Sequence, residues 1–181
     1  MTDDPLFKST HDALVFAFQY AGQQSPKTPA MAYRNPGDAP IGKGKGLSGL
    51  DGAAQAGMIL AEVDRLPDDQ HNVIVARYGL VLHECPCCEQ DAPSDEWRLA
   101  IDALSRCVEL EGVHRKVRLM MVERAICGGR LDIDMLCRRY SLGRTTTYGQ
   151  LSAIKTKLRK IEKIALSNLD NVFFEKKSLV A

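Results

Sequence analysis

A chain of 181 residues suffices for one helical domain or two small ones, and no apolar run in it approaches the roughly 20 residues that span a bilayer. Its formal net charge of +1 hides two opposed parts: Arg115–Ala181 carries 15 Lys+Arg against 6 Asp+Glu, net +9, and the first 114 residues carry 9 against 17, net −8. A basic carboxy-terminal third beside an acidic remainder is the charge footprint of a nucleic-acid module joined to something else, though solvated helix surfaces also carry basic runs.

The opening MTDDPLFKST is acidic and has neither the positive region nor the apolar core of a signal peptide, so a cytoplasmic protein is expected. In that compartment six cysteines are thiols or metal ligands rather than disulfides. His11–Tyr20 (HDALVFAFQY) predicts a short helix, although its alternation also suits a strand. Gly22–Gly49 holds Pro26, Pro29, Pro36, Pro40 and a GKGKG run, and reads as a linker or functional loop. That run lacks the preceding strand and following Ser/Thr of a phosphate-binding loop. Lys43 and Lys45 make it a basic tether suited to nucleic acid.

Ser48–Leu66 is rich in Ala, Leu and Met and predicts a helix with close neighbours at its Gly and Ala positions. Pro67 opens the next helix, with Asp68 and Asp69 in the favourable first turn and Gly79 closing it after Tyr78. Ser94 caps a helix from Asp95 to about Val108, and another runs from about Val113 to Ala125 before Gly128–Gly129.

Leu131–Lys160 (LDIDMLCRRYSLGRTTTYGQLSAIKTKLRK) reads as a helix-turn-helix followed by a basic helix. Asp132 caps a first helix with Ile133, Leu136 and Tyr140 on its buried side, and Cys137 falls where the two helices pass closely. Ser141–Gly143 makes the turn, and Leu142, Leu151, Ile154, Leu158 and Ile161 form an apolar stripe. Arg144, Thr145, Thr146, Tyr148 and Gly149 face outward at the end of the helix that would enter a major groove. Arg138, Arg139, Lys155, Lys157 and Arg159 are the surrounding candidate DNA contacts. The helix continues to about Leu169, and the tail carries a small apolar anchor at Val172–Phe174. These elements predict an all-α fold: a helical bundle with a C-terminal helix-turn-helix, a Cys-rich insertion and a flexible N-terminal loop.

His83, Cys85, Cys87 and Cys88 place four candidate ligands within six residues, and soft thiolates with an imidazole suit structural zinc. Cys85 and Cys88 form the CxxC pair; adjacent Cys87 and Cys88 are expected to point different ways. Cys107 or His114, seven apart and expected on one helix face, are further candidates for the last ligand, and an unliganded or redox thiol cluster is the alternative. Cys127 and Cys137 read as core residues, and His11 and His71 as surface or cap residues. The zinc deaminase pattern needs a His and a Glu separated from the Cys pair by intervening structure. Here His83 and Glu84 adjoin the cysteines, and no other nucleophile or carboxylate arrangement emerges, so no enzyme is expected.

Arg65–Leu80 (RLPDDQHNVIVARYGL) resembles the first helix of region 4 of bacterial sigma factors, and Asp132–Ile154 resembles that region's helix-turn-helix. A cysteine cluster and two helices, which sigma factors lack, separate them. This arrangement resembles the phage Q-type late-gene antiterminators and their prophage-derived, AlpA-like lysis-control relatives. THDALVFAFQYAGQ and GKGKGLSGLDGAAQAGMI are similar to stretches of such regulators.

The resemblance implies a protein that binds double-stranded DNA near a promoter and engages RNA polymerase paused there with sigma factor. It would then act at the RNA exit channel so that terminator hairpins do not form. On this division residues 1–47 contact polymerase and the exit channel, with Lys43 and Lys45 near nascent RNA. Residues 48–181 form the sigma-like DNA-binding domain, with the Cys-rich insertion at 81–93. A conventional promoter activator or repressor, and a phage DNA-packaging adaptor, are the competing readings.

Overall fold

Helical periodicity and capping residues together lay out most of the chain as α-helix. The computed structural model describes residues 6–24, 50–85, 87–108, 110, 112–128 and 131–175. Lys43, Lys45 and most of the Pro/Gly-rich stretch lie outside the described residues. The elements are α1 (Thr10–Gln24), α2 (Leu50–Asp64), α3 (Asp68–Tyr78), β1 (Leu82–Glu84), β2 (Asp91–Pro93), α4 (Asp95–Cys107), α5 (Arg115–Cys127), α6 (Ile133–Tyr140) and α7 (Arg144–Asp170). A π-helical turn, Asn171–Glu175, follows α7. The chain is therefore mostly helical; β1 and β2 are the strands among the described residues. Among those residues no helix is long and apolar enough to cross a membrane.

Contacts divide the chain into two compact units. One unit comprises 1–66, 78–80 and 166–181; the other comprises 67–77 and 81–165. The reason is non-local packing: α1 packs on α2, so the Ala-rich helix belongs with the amino-terminal residues.

In the first unit Ser9 accepts from the Asp12 amide (3.1 Å) and starts α1 as a helix rather than a strand. Ala13, Leu14 and Ala17 of α1 and Ile59 and Val63 of α2 are buried. A methyl at Gly52 would lie 2.9 Å from Tyr20 Cε2, so this glycine lets the two helices approach. Gly57, expected to do the same, faces open space. Phe173 in the π-helical turn is buried in this unit, as the expected apolar anchor requires. His11 Nδ1 and Tyr78 Oη are 2.9 Å apart.

The second unit is built from side chains that cap and brace. Ser94 accepts from Trp97 N (3.2 Å) at the start of α4, and Gly128 closes α5 in the left-handed region at φ 74°. Buried Val73 to Ala76 of α3, Leu104 of α4, Met121 and Val122 of α5, and Ile154 and Leu158 of α7 contribute to its core. Arg77 forks onto Glu162 through Nε and Nη2 (3.1 and 3.0 Å) and also donates to the Ile126 carbonyl. One guanidinium thereby ties α3, α5 and α7 together.

Candidate metal centre and candidate nucleic-acid interface

The cysteine-rich stretch folds as a β-hairpin, which the all-α expectation did not include. Its strands pair antiparallel as Leu82↔Pro93, His83↔Ala92 and Glu84↔Asp91. The connecting loop closes on itself: Cys85 N donates to Gln90 O (2.8 Å) and Glu89 N to Cys85 O (2.9 Å). Glu89 takes a left-handed φ of 56°, a conformation that few non-glycine residues adopt outside tight turns.

That curl brings Cys85, Cys87 and Cys88 together, with all three Sγ atoms within 4.8 Å of one another. Adjacent Cys87 and Cys88 therefore converge rather than diverge; the loop's tight reversal turns both thiols toward Cys85. Cys85 and Cys87 Sγ are 2.9 Å apart. The hydrogen bond from Cys87 lowers the Cys85 thiol to about 7, and sharing with Cys85 raises the Cys87 thiol. The first thiolate of the cluster thus forms readily, and thiolate is the form that binds a soft metal.

His83 lies in β1 and Cys85 follows directly after the end of that strand, two residues on. His83 is not within the mutual reach of the three sulfurs, but its Nδ1 is buried with no hydrogen-bond partner among the described residues. A buried imidazole nitrogen of this kind, two residues before the thiol cluster in sequence, is a donor type that a metal takes. Cys107 and His114 stay outside the cluster. Cys107 ends α4, His114 caps α5, and Gly112 at φ 70° breaks the chain between them, so they share no helix face. Cys127 is exposed at the end of α5 rather than in the core.

In the basic third, Asp132 accepts from Met135 N (2.8 Å) to start α6. Ser141 ends α6 in the left-handed region at φ 52°, and Leu142 N donates to Cys137 O (3.0 Å). Half-buried Cys137 reaches Thr147 Oγ1 of α7 at 3.5 Å, the close passage that its small side chain suggests. Thr147 itself is buried and donates back to Gly143 O at 2.9 Å, locking the turn. Leu151, Ile154, Leu158 and Ile161 are buried, so the opposite face of α7 is left to solvent.

That face exposes Arg144, Thr145, Thr146, Tyr148 and Gly149 in the first turns and Arg159 further along. Arg138 and Arg139 are exposed in the last turn of α6, and Lys155 is half-buried. Lys157 is exposed, but its Nζ donates to Cys107 O (2.6 Å) at the end of α4. Lys43 and Lys45 cannot be placed against any of these, being outside the described residues.

Sequence reasoning missed the cations at the start of α5. His114 accepts from Lys116 N (3.2 Å), and its ring lies 5.4 Å from that of Tyr140. Arg139 is 5.9 Å from the Tyr140 ring. Only the run His114-Arg115-Lys116 signalled this cluster beforehand. No protein-family model, curated protein or solved structure matches this chain.

Proposed function

We propose that this chain is a DNA-binding transcription regulator and that it works as an antiterminator. The single observation that supports DNA binding best is the exposed start of α7. Thr147, Leu151 and Ile154 anchor the helix inward, which leaves Arg144, Thr145, Thr146 and Tyr148 at its solvent-facing end. Those side chains offer donors and acceptors to base edges, and surrounding cations supply phosphate contacts. The α6–turn–α7 segment acts in this reading as a helix-turn-helix, with α7 as the helix that enters the major groove.

Antitermination is the finer part, and the resemblance of Arg65–Leu80 and Asp132–Ile154 to sigma region 4 supports it. Bound near a promoter, the protein engages bacterial RNA polymerase paused with sigma factor and then acts at the RNA exit channel. The acidic part faces polymerase, and Lys43 and Lys45 approach nascent RNA. The Cys85–Cys88 loop holds a structural zinc ion, with His83 as the remaining candidate ligand; the ion would stiffen a hairpin too short to be stable alone.

Purified transcription with a terminator downstream of the bound promoter tests this function. Added protein is expected to raise readthrough. A change in initiation alone replaces the antiterminator with a conventional promoter regulator.

A further inference from the structure

We infer that the first turn of α5 and the last turn of α6 form a second phosphate-gripping surface, which holds the DNA backbone beside the groove that α7 enters. The inference rests on the DNA-binding reading above. Chain connectivity alone separates the two turns widely, since Lys116 and Arg138 are 22 positions apart. The fold joins them through Tyr140, whose ring lies 5.4 Å from His114 and 5.9 Å from the Arg139 guanidinium.

The composition of the joined patch is one-sided. The first turn of α5 contains no acidic residue, and the last turn of α6 contributes Arg138 and Arg139. His114, Lys116, Arg138 and Arg139 are all exposed. Arg115 is the exception, because Asp102 holds it at 2.6 Å and offsets its charge. Among the described residues no ion pair offsets Lys116, Arg138 or Arg139, which therefore carry the positive charge of the patch.

Position selects the partner. Tyr140 precedes Arg144 by four residues, so the patch adjoins the end of α7 that offers side chains to base edges. A phosphodiester backbone flanks any major groove, and its charges repeat at close spacing. Charge without base-specific donors gives positioning and not sequence choice. The patch thus adds affinity shared by all sequences.

The test uses the full-length protein and a random-sequence duplex, with binding measured over a salt series. Each lost phosphate contact lowers the slope of log affinity against log salt by about 0.9. Lys116→Ala and Arg138→Ala are each expected to flatten it by that amount, and the double variant by about twice as much. Lys8→Ala, an exposed charge in the other unit, is expected to leave the slope unchanged. Unaltered thermal melting of each variant shows that the fold persists. Duplex binding with an unchanged slope in the double variant overturns the inference and leaves the DNA-binding reading standing. An equal effect from Lys8→Ala also overturns it, since net charge alone would then account for the change. Loss confined to single-stranded RNA assigns the patch to RNA and overturns the inference as stated. Absence of wild-type duplex binding at low salt overturns both readings together.

Discussion

Arg144 Nε lies 3.2 Å from Asp134 Oδ1, so the first residue of α7 is tied to the first turn of α6. Both side chains are mostly exposed, and such a pair contributes at most about 1 kcal/mol. It orients the guanidinium without committing it. Arg144→Ala is expected to lower affinity for a cognate duplex by about 1–3 kcal/mol relative to a scrambled one. Asp134→Asn is expected to strengthen binding to both, because it removes a carboxylate from the approach of phosphate. Equal weakening of cognate and scrambled binding by Arg144→Ala would make this residue a phosphate contact instead.

Lys157 separates from its neighbours Lys155 and Arg159. Its Nζ occupies the carbonyl end of α4 at Cys107, where a cation offsets the negative end of the helix dipole. Lys157→Ala should cost about 0.3–1 kcal/mol of stability in chemical denaturation, with little effect on the salt slope of duplex binding. Arg159→Ala should do the reverse. Interchanged results would return Lys157 to the DNA face.

The three convergent thiols predict a metal stoichiometry. Zinc added to reduced protein is expected to bind at one equivalent, and substitution of Cys85, Cys87 or Cys88 by Ser should weaken it. Losing even an outer-shell partner costs roughly 10–100-fold in metal affinity, so loss of a thiolate should cost at least that. His83→Ala is the informative fourth variant, since its Nδ1 is buried with no hydrogen-bond partner among the described residues. Tight zinc binding that survives Cys87→Ser would reduce the site to the CxxC pair.

Acid should act on Asp102. The hydrogen bond from Arg115 is the main cause holding its carboxyl below the usual carboxylate range, with Arg106 and Arg118 adding to it. A depressed folded value stabilises the protein while the carboxylate is charged, and that contribution disappears as pH falls through the folded value. Thermal midpoints of wild type and Asp102→Asn should therefore differ near neutrality and converge below about pH 4. A constant difference across that range would show that Asp102 acts through its shape or hydrogen bonds alone.

Long periodic elements were legible from the residues themselves. The α7 stripe, the Ser94 cap, the Asp132 cap and the Gly128 terminus each depend on neighbours a few positions away, which a linear reading captures. The hairpin was not legible because strands of three residues show no usable alternation. Convergence of Cys87 and Cys88 accompanies a loop that closes from Cys85 to Glu89 and Gln90, a curl that no single residue type announces. Pairing of α2 with α1, and of His114 with Tyr140, is set by packing across long stretches of chain. The first turns of α7 are exposed as their periodicity implies, whereas the start of α5 meets α6 through a His114–Tyr140 contact that sequence spacing does not signal.

Trp97 makes the second unit observable from within. It is the single tryptophan of the chain, 5 % exposed, and its indole Nε1 donates to the Ala76 carbonyl at 3.1 Å. All tryptophan emission therefore originates at the seam of α3 and α4, three residues beyond the Ser94 amide that joins Val81 at the hairpin's base (2.9 Å). Chelation that opens only the hairpin should leave the emission maximum in place, whereas separation of α3 from α4 should move it to longer wavelength. A native fluorophore thus distinguishes local loss of the cysteine loop from unfolding of the helices beneath it.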